Sequence, residues 1–359
     1  MRQSPPLQAK GDKSGNVIKR GSKMFYKYTD IKNIVAEIIE SRKEEGGVKS
    51  IYFVGCGGSL GALYPAKTFM QNECAAIKCG WINSNEFVHA VPKDFGRNSI
   101  ICIACHKGNT PETIAAAKLG KERGAAVILL TWLEESEIIE FGDYVILYSF
   151  DASPDHLAGD IDYAGEKVLC ALSVAVELLN QTAGYEHYDK FLDGLDRISV
   201  IIRKARKMVQ ARAEKFAQEY KDDDLIYTMG SGASWGSAYM ESICIFMEMQ
   251  WLNSACIHTG EYFHGPFEVT DANRPFMIQI SEGSTRALDE RCLAFLKKYA
   301  GRIEVVDAKE LGLSTIDVSV VDYFNHSLFN NVYPIYNHAL AEARKHPLTT
   351  RRYMWRVEY

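Results

Sequence analysis

The same unit appears twice in this 359-residue chain. Lys49-Ser-Ile-Tyr-Phe-Val-Gly-Cys-Gly-Gly-Ser59 is an apolar run that ends in a glycine-rich turn closed by serine, and helical spacing follows from Ala62 to Gln71. Leu225-Ile-Tyr-Thr-Met-Gly-Ser-Gly-Ala-Ser234 repeats the pattern 175 positions on, counted from Gly57 to Gly232, with helical spacing from Trp235 to Met249. An apolar run of strand length that enters a glycine turn and leaves as a helix is a strand–turn–helix unit, and two copies predict a duplicated architecture. Further strand candidates in the first half are Ser99–Cys105, Ala125–Thr131 and Asp143–Phe150, separated by helical patterns at Thr110–Arg123 and Glu134–Glu140. The second half offers Ala255–Thr259, Phe276–Ser281, Arg302–Asp307 and Asp317–Asp322, with a helix at Thr285–Lys298. Alternation of helices with continuously apolar strands predicts an α/β fold with two parallel sheets, each flanked by helices in three layers. The long helical patterns between Glu166 and Gln218 join the halves.

This organisation reads as a flexible arm over residues 1–24, domains over residues 25–190 and 191–345, and a C-terminal tail over residues 346–359. The arm is basic and polar and lacks the apolar stretch of a signal peptide, so a cytoplasmic protein is expected. No apolar run approaches the length that spans a bilayer, and a net charge of −5 argues against nucleic acid or a membrane surface as the main partner. Nine cysteines in such a chain read as reduced, mostly buried thiols. Cys102-Ile-Ala-Cys105-His106 matches a haem-attachment spacing, but residues three apart on a strand point to opposite faces, so the two sulfurs cannot grip one group. No metal and no cofactor are expected.

A glycine–serine turn between a strand and a helix gathers free backbone N–H groups and the positive end of a helix dipole at one point, a place for an anion. Gly58 and Ser59 stand in the first such turn. The stretch His106-Lys-Gly-Asn-Thr-Pro-Glu-Thr113 repeats the arrangement after the next strand: Gly108 permits close approach, Thr110 supplies a hydroxyl at the N-cap position, and Pro111 suits the first helical turn. One such turn is ordinary turn chemistry; two in one sheet point to a phosphate. Neither is a nucleotide P-loop, and the dinucleotide fingerprint is absent from both strand–turn–helix sites.

In the second half, Glu248-Met-Gln-Trp251 precedes Gly260-Glu-Tyr-Phe-His-Gly-Pro266, which sets a histidine sixteen positions after a glutamate, inside a glycine-bounded turn. A carboxylate can move a proton between neighbouring carbons and an imidazole can open a sugar ring, the two tasks of sugar isomerisation. Taken alone, Glu248 is an ordinary helix residue and His264 an ordinary loop histidine. The tandem halves and the paired anion turns give them a context.

Together, Cys56-Gly-Gly-Ser59, Gly108-Asn-Thr110, Glu248 and Gly260-Glu-Tyr-Phe-His-Gly-Pro266 resemble the double sugar-isomerase (SIS) domain of glucosamine-6-phosphate synthases and their relatives, over nearly everything after residue 30. The glutaminase domain of those synthases has no counterpart. The ending His346-Pro-Leu-Thr-Thr-Arg-Arg-Tyr-Met-Trp-Arg-Val-Glu-Tyr359 and the stretches Phe246–Trp251 and His264–Glu268 are more similar to the deglycases of 6-phosphorylated Amadori compounds. The resemblance implies two tandem SIS domains and a homodimer whose sites are shared between subunits. It makes Glu248 the proton shuttle and His264, reaching over from the neighbouring chain, the ring opener. The substrate it implies is a small sugar phosphate, 6-phosphofructose-aspartate, cleaved by water to glucose 6-phosphate and aspartate; fructoselysine or glucoselysine 6-phosphate, or simple aldose–ketose isomerisation, are the alternatives. It places Gly58, Ser59, Cys105, His106, Lys107, Gly108, Asn109 and Thr110 around the phosphate, and Arg351 and Arg352 in a tail near the site. Where many SIS domains carry Ser-x-Ser, this chain has Cys105-His-Lys107, which exchanges two hydroxyls for a cation. A sugar-phosphate-sensing regulator would need a helix-turn-helix, for which the short arm has no room.

Overall fold

In the computed structural model, residues 18–20, 23–151, 153 and 161–358 are described. The strands form two sheets. The first contains β1 (Ile18–Arg20), β2 (Lys23–Tyr26), β3 (Ser50–Gly55), β4 (Lys78–Asn83), β5 (Ser99–Ala104), β6 (Ala126–Thr131) and β7 (Tyr144–Leu147), in the order β1-β2-β7-β6-β5-β3-β4. Only β1 and β2 pair antiparallel; all other neighbours are parallel. The second contains β8 (Tyr227–Gly230), β9 (Cys256–His258), β10 (Pro275–Ile280) and β11 (Arg302–Asp307), in the order β11-β10-β8-β9 and parallel throughout.

Every residue of β3, β5, β6 and β10 is buried, which is why these strands read as unbroken apolar runs: helices cover both faces. Alternate residues of the first sheet enter two different cores. Ile51, Phe53, Ile100, Cys102, Ile128 and Leu130 pack on one side, and Tyr52, Val54, Ile101, Ile103, Val127 and Leu129 on the other. Cys102 and Cys105 therefore lie on opposite faces, both among apolar side chains.

The first of these cores runs into the second half. It continues through the helices Lys167–Ala183, Tyr188–Met208, Gln210–Tyr220 and Asn325–Ala343 to Met277, Val306 and Leu311. The turn helices of the two halves, Gly57–Ala62 and Trp235–Met240, also cross directly. A Cβ at Gly61 would lie 3.0 Å from the Gly236 carbonyl oxygen, and one at Gly236 only 2.5 Å from that of Gly61, so both positions need glycine for the backbones to meet.

Four features differ from expectation. Residues 18–20 and 23–24, read as part of a flexible arm, belong to the antiparallel pair β1–β2, and the end of β2 at Phe25 and Tyr26 pairs with β7 and satisfies an otherwise open strand edge; the remainder of that arm lies outside the described residues. The boundary at 190/191 falls inside the Tyr188–Met208 helix, where the shared core leaves no linker. Asp317–Asp322 is not a strand: the Asp317 carboxylate accepts from the Ser319 amide at 3.1 Å and hydroxyl at 2.8 Å, folding the segment into a turn. The helix expected over Trp235–Met249 widens from Glu241 onward into a nine-residue π-helix, in which the Gln250 amide reaches back five residues to Ile245. Such a widening re-aims side chains and is often found at functional sites.

Candidate active site

Because β3 and β5 are neighbours, the turns that follow them emerge side by side at the carboxyl edge, where parallel sheets bind ligands. The Thr113 hydroxyl lies 3.8 Å from the Cys56 sulfur and ties the two turns together. In the second turn Gly108 has φ +66° and sits beneath the next loop: a Cβ there would lie 2.1 Å from Ser136 Oγ, and the Gly108 carbonyl accepts from the Ile138 amide at 3.1 Å. Thr110 occupies the N-cap of the Pro111–Glu122 helix, but its hydroxyl makes no capping bond. His106 hydrogen-bonds Tyr148 and stacks on Trp132 with ring centroids 5.4 Å apart. Lys107 and Asn109 are exposed.

Cys105 does not join this surface. It is 3% exposed among apolar neighbours, and its amide is bonded to the Leu130 carbonyl, so it shapes the loop by packing.

Lys167, which the sequence reading did not single out, does join it. Its ammonium donates to Ser59 Oγ at 3.3 Å and lies 5.5 Å from the Tyr148 ring centroid; burial lowers it to about 8. It opens the Lys167–Ala183 helix, so its charge adds to the positive end of that helix. The one signal in the sequence is a lysine at the head of an otherwise apolar helix, a pattern too common to choose on.

Gly57 and Gly58 face the second half. A Cβ on either would stand 3.6–3.7 Å from Cys244 Sγ, on the π-helix that also carries Glu248. Burial pushes the Cys244 thiol up to about 12, and the Glu248 carboxylate pushes in the same direction. Burial also raises the Glu248 carboxyl above its ordinary range, partly offset by Arg351, whose Nη2 is 2.8 Å from Glu248 Oε1. The Arg351 side chain is 11% exposed and also donates to the carbonyls of Leu348 and Thr350, which fixes the tail. Trp355 completes the arrangement: its ring centroid is 5.8 Å from the Arg351 guanidinium carbon and 5.2 Å from Lys107 Nζ. Contacts thus run in a circuit from the first turn through Cys244, Glu248, Arg351, Trp355 and Lys107 to the second turn.

Two expected residues stand apart. Arg352 lies over Trp251, 4.2 Å from its centroid, and the opposite partner of that ring is His346 at 4.7 Å. His264 is exposed, its amide bonded to the Glu261 carbonyl at 2.9 Å. Its loop is anchored by fully buried Tyr262 and by Phe263 and Phe267 around Phe295, and among the described residues no hydrogen bond or ion pair links His264 to Glu248. Among the described residues no cluster of His, Cys, Asp and Glu is arranged to hold a metal, and no helix is long and apolar enough to cross a membrane.

Comparison with known proteins matches the arrangement. The SIS domain family model covers residues 47–159, the first half. Fructosamine deglycase FrlB of Bacillus subtilis is 39% identical over 312 residues, 87% of this chain and 93% of the relative. Fructoselysine 6-phosphate deglycase of Escherichia coli K12 is 26% identical over 269 residues, 74% of each chain. A solved structure from Salmonella typhimurium LT2, provisionally named a phosphosugar isomerase, superposes with a TM-score of 0.87 at 44% identity, covering 92% of this chain and 99% of that one. The chain belongs to the SIS-domain family of sugar-phosphate enzymes that includes these deglycases.

Proposed function

We propose that this protein is a deglycase that cleaves 6-phosphofructose-aspartate with water to glucose 6-phosphate and aspartate. The observation behind the reading is the position of Glu248, a half-shielded carboxylate on a widened helix that abuts the glycine turn of the phosphate site. The names of the relatives supply the substrate class, a phosphorylated Amadori compound.

The phosphate sits against the turns of Gly58–Ser59 and Gly108–Thr110, with Lys107 and Lys167 beside them. His264 opens the hemiketal ring. In the open form the C2 carbonyl acidifies the C1 hydrogen; Glu248 removes that proton to give an enaminol and returns it to C2, which leaves an imine between C1 and the amine nitrogen. Water adds to C1, and the carbinolamine expels the amine. The amino-acid part carries two carboxylates, and Arg351, with Lys107 across Trp355, answers them. His264 acts in the partner subunit's site, a reading its exposure supports.

Glucose 6-phosphate release measured over phosphorylated fructose-aspartate, fructoselysine and plain fructose 6-phosphate tests the substrate: preference for the lysine compound overturns the leaving group. Glu248→Gln lowers turnover by about a hundredfold to ten-thousandfold with the fold unchanged. For the shared site, mixed dimers of Glu248→Gln and His264→Asn chains regain activity through one intact site. Dead mixtures in which heterodimers are shown to form refute it.

A further inference from the structure

A second concavity lies beside the π-helix, walled by residues of both halves. It is a cavity of about 230 Å³ whose wall includes Glu166, Arg206, Glu241, Asn331, Tyr333 and Asn337. Cys244 is common to its wall and to the first site, but the phosphate-binding residues are not part of it.

The hydrogen bonds of the wall leave a distinctive remainder. Three donors of the wall are spent on the protein itself: Asn331 Nδ2 on Glu166 Oε2 at 2.7 Å and the Ser327 carbonyl, Asn337 Nδ2 on Glu241 Oε2 at 3.2 Å, and the Tyr333 hydroxyl on Gln279 Oε1 at 2.9 Å. The Ser237 hydroxyl, also in the wall, points to Ser234 O and Gln279 Oε1. Two acceptors are left over. Glu241 Oε1 and Asn337 Oδ1 have no hydrogen-bond partner, on residues only 3% and 4% exposed. Buried acceptors without donors are costly and call for an explanation. Charge points the same way: Asp151, Glu166 and Glu241 outnumber Arg206, the one cation of the wall among the described residues, and Arg206 Nη1 is directed to the Tyr163 hydroxyl at 3.1 Å. Burial raises Glu241 to about 8, offset only by its bond from Asn337, and Glu166 to about 7, offset by Asn331, Ser327 and the neighbouring Lys167, so an ammonium beside Glu241 would hold that carboxyl in its ionised, accepting form. A ligand that completes this wall must bring positive charge and several N–H donors in a small volume, with apolar substance to meet Met240, Ile245 and Pro334.

We propose that this cavity is a binding site for a small protonated primary amine, distinct from the sugar-phosphate site, with Glu241 Oε1 and Asn337 Oδ1 receiving the ammonium protons. The assignment does not depend on the deglycase reading. The amine comes either as a simple alkylammonium or as the ammonium group of a free amino acid.

The test uses the full-length protein and methylammonium chloride, with sodium chloride at matched ionic strength. Saturation-transfer NMR to the methyl group shows binding in the wild type, and titration gives its affinity. Glu241→Gln, at unchanged melting temperature, weakens it at least tenfold; Asn337→Leu serves the same purpose should Glu241→Gln not fold. Glu248→Gln leaves binding intact, which separates this site from the first. Potassium and tetramethylammonium, which carry the charge without N–H donors, do not displace methylammonium at equal concentration. Displacement by glycine assigns the site to amino acids, and its failure assigns it to simple amines. Absence of transfer, displacement by potassium, loss of binding in Glu248→Gln, or full binding in a folded Glu241→Gln each overturns the proposal.

Discussion

The two halves end equivalent strands with the same kind of glycine–serine turn and put it to opposite uses. After β3, the turn at Gly57–Ser59 holds no carboxylate of the described residues, and beside it stand a lysine, the uncapped Thr110 hydroxyl and a helix start. After β8, the turn at Ser231–Ser234 is filled from within. Asp289, fully buried, accepts from the hydroxyls of Ser231 at 2.6 Å and Thr259 at 2.7 Å on one oxygen, and from the amide and hydroxyl of Ser281 at 2.9 and 2.6 Å on the other. Gln279 fills the space over Gly230, where a Cβ would lie 2.5 Å from its amide nitrogen. A turn built to hold an anion thus holds one of the protein's own. The difference teaches that strand–turn–helix geometry creates the capacity for anion binding, and that the side chains around it decide whether the anion is a ligand or a structural carboxylate.

The contrast is broken most directly at Asp289. Asp289→Ala strands three buried hydroxyls and an amide, with an expected loss of about 3–5 kcal/mol in unfolding free energy, read by urea denaturation. A neutral result would mean that the second turn is not held by its internal carboxylate. In the open turn, Ser59→Ala removes one hydroxyl from a site that faces solvent and ligand. It leaves stability within about 1 kcal/mol and lowers kcat/KM for the sugar phosphate by about tenfold to a hundredfold, the worth of a hydrogen bond to a charged group. Equal destabilisation by both variants would erase the distinction between the turns.

The smallest expected effect sharpens the comparison at the level of the two acids. Asp289 is surrounded by hydroxyls and pairs with no cation among the described residues, whereas Glu248 is paired with Arg351, which offsets part of the upward push of burial. Arg351→Met removes the offset, so the Glu248 carboxyl rises further and the acidic limb of the kcat/KM profile moves to higher pH. A limb that stays in place or moves down would show that Arg351 does not govern the base.

Much of the frame was legible because it depends on patterns that sequence states directly. β3, β5, β6 and β10 are buried on both faces and spelled as continuous apolar runs, and glycine positions with φ above zero, such as Gly57, Gly108 and Gly232, marked the turns. β4 escaped notice because it is an edge strand with no fully buried residue, so Lys78-Cys-Gly-Trp-Ile-Asn83 lacks the apolar signature. Asp317–Asp322 misled because alternating polar and apolar residues fit a strand as well as a turn, and a side-chain bond to Ser319 decided the matter. The π-helix was invisible, since nine residues are too few for a change in turn width to show in the spacing of apolar residues. Lys167 reaches Ser59 across 108 positions of the chain, through packing that no local motif encodes, and Arg351, expected near the site only from the resemblance, reaches Glu248 across a comparable distance in sequence.

The crossing at Gly61 and Gly236 has a historical consequence. Once two copies of an ancestral segment met through bare backbone and closed over common apolar side chains, neither could be returned to independent life. A methyl group at either glycine would have pried them apart, and a gene break at the midpoint would have left each product with half an interior. The join thus ties the fate of each half to two atoms' worth of space in the other.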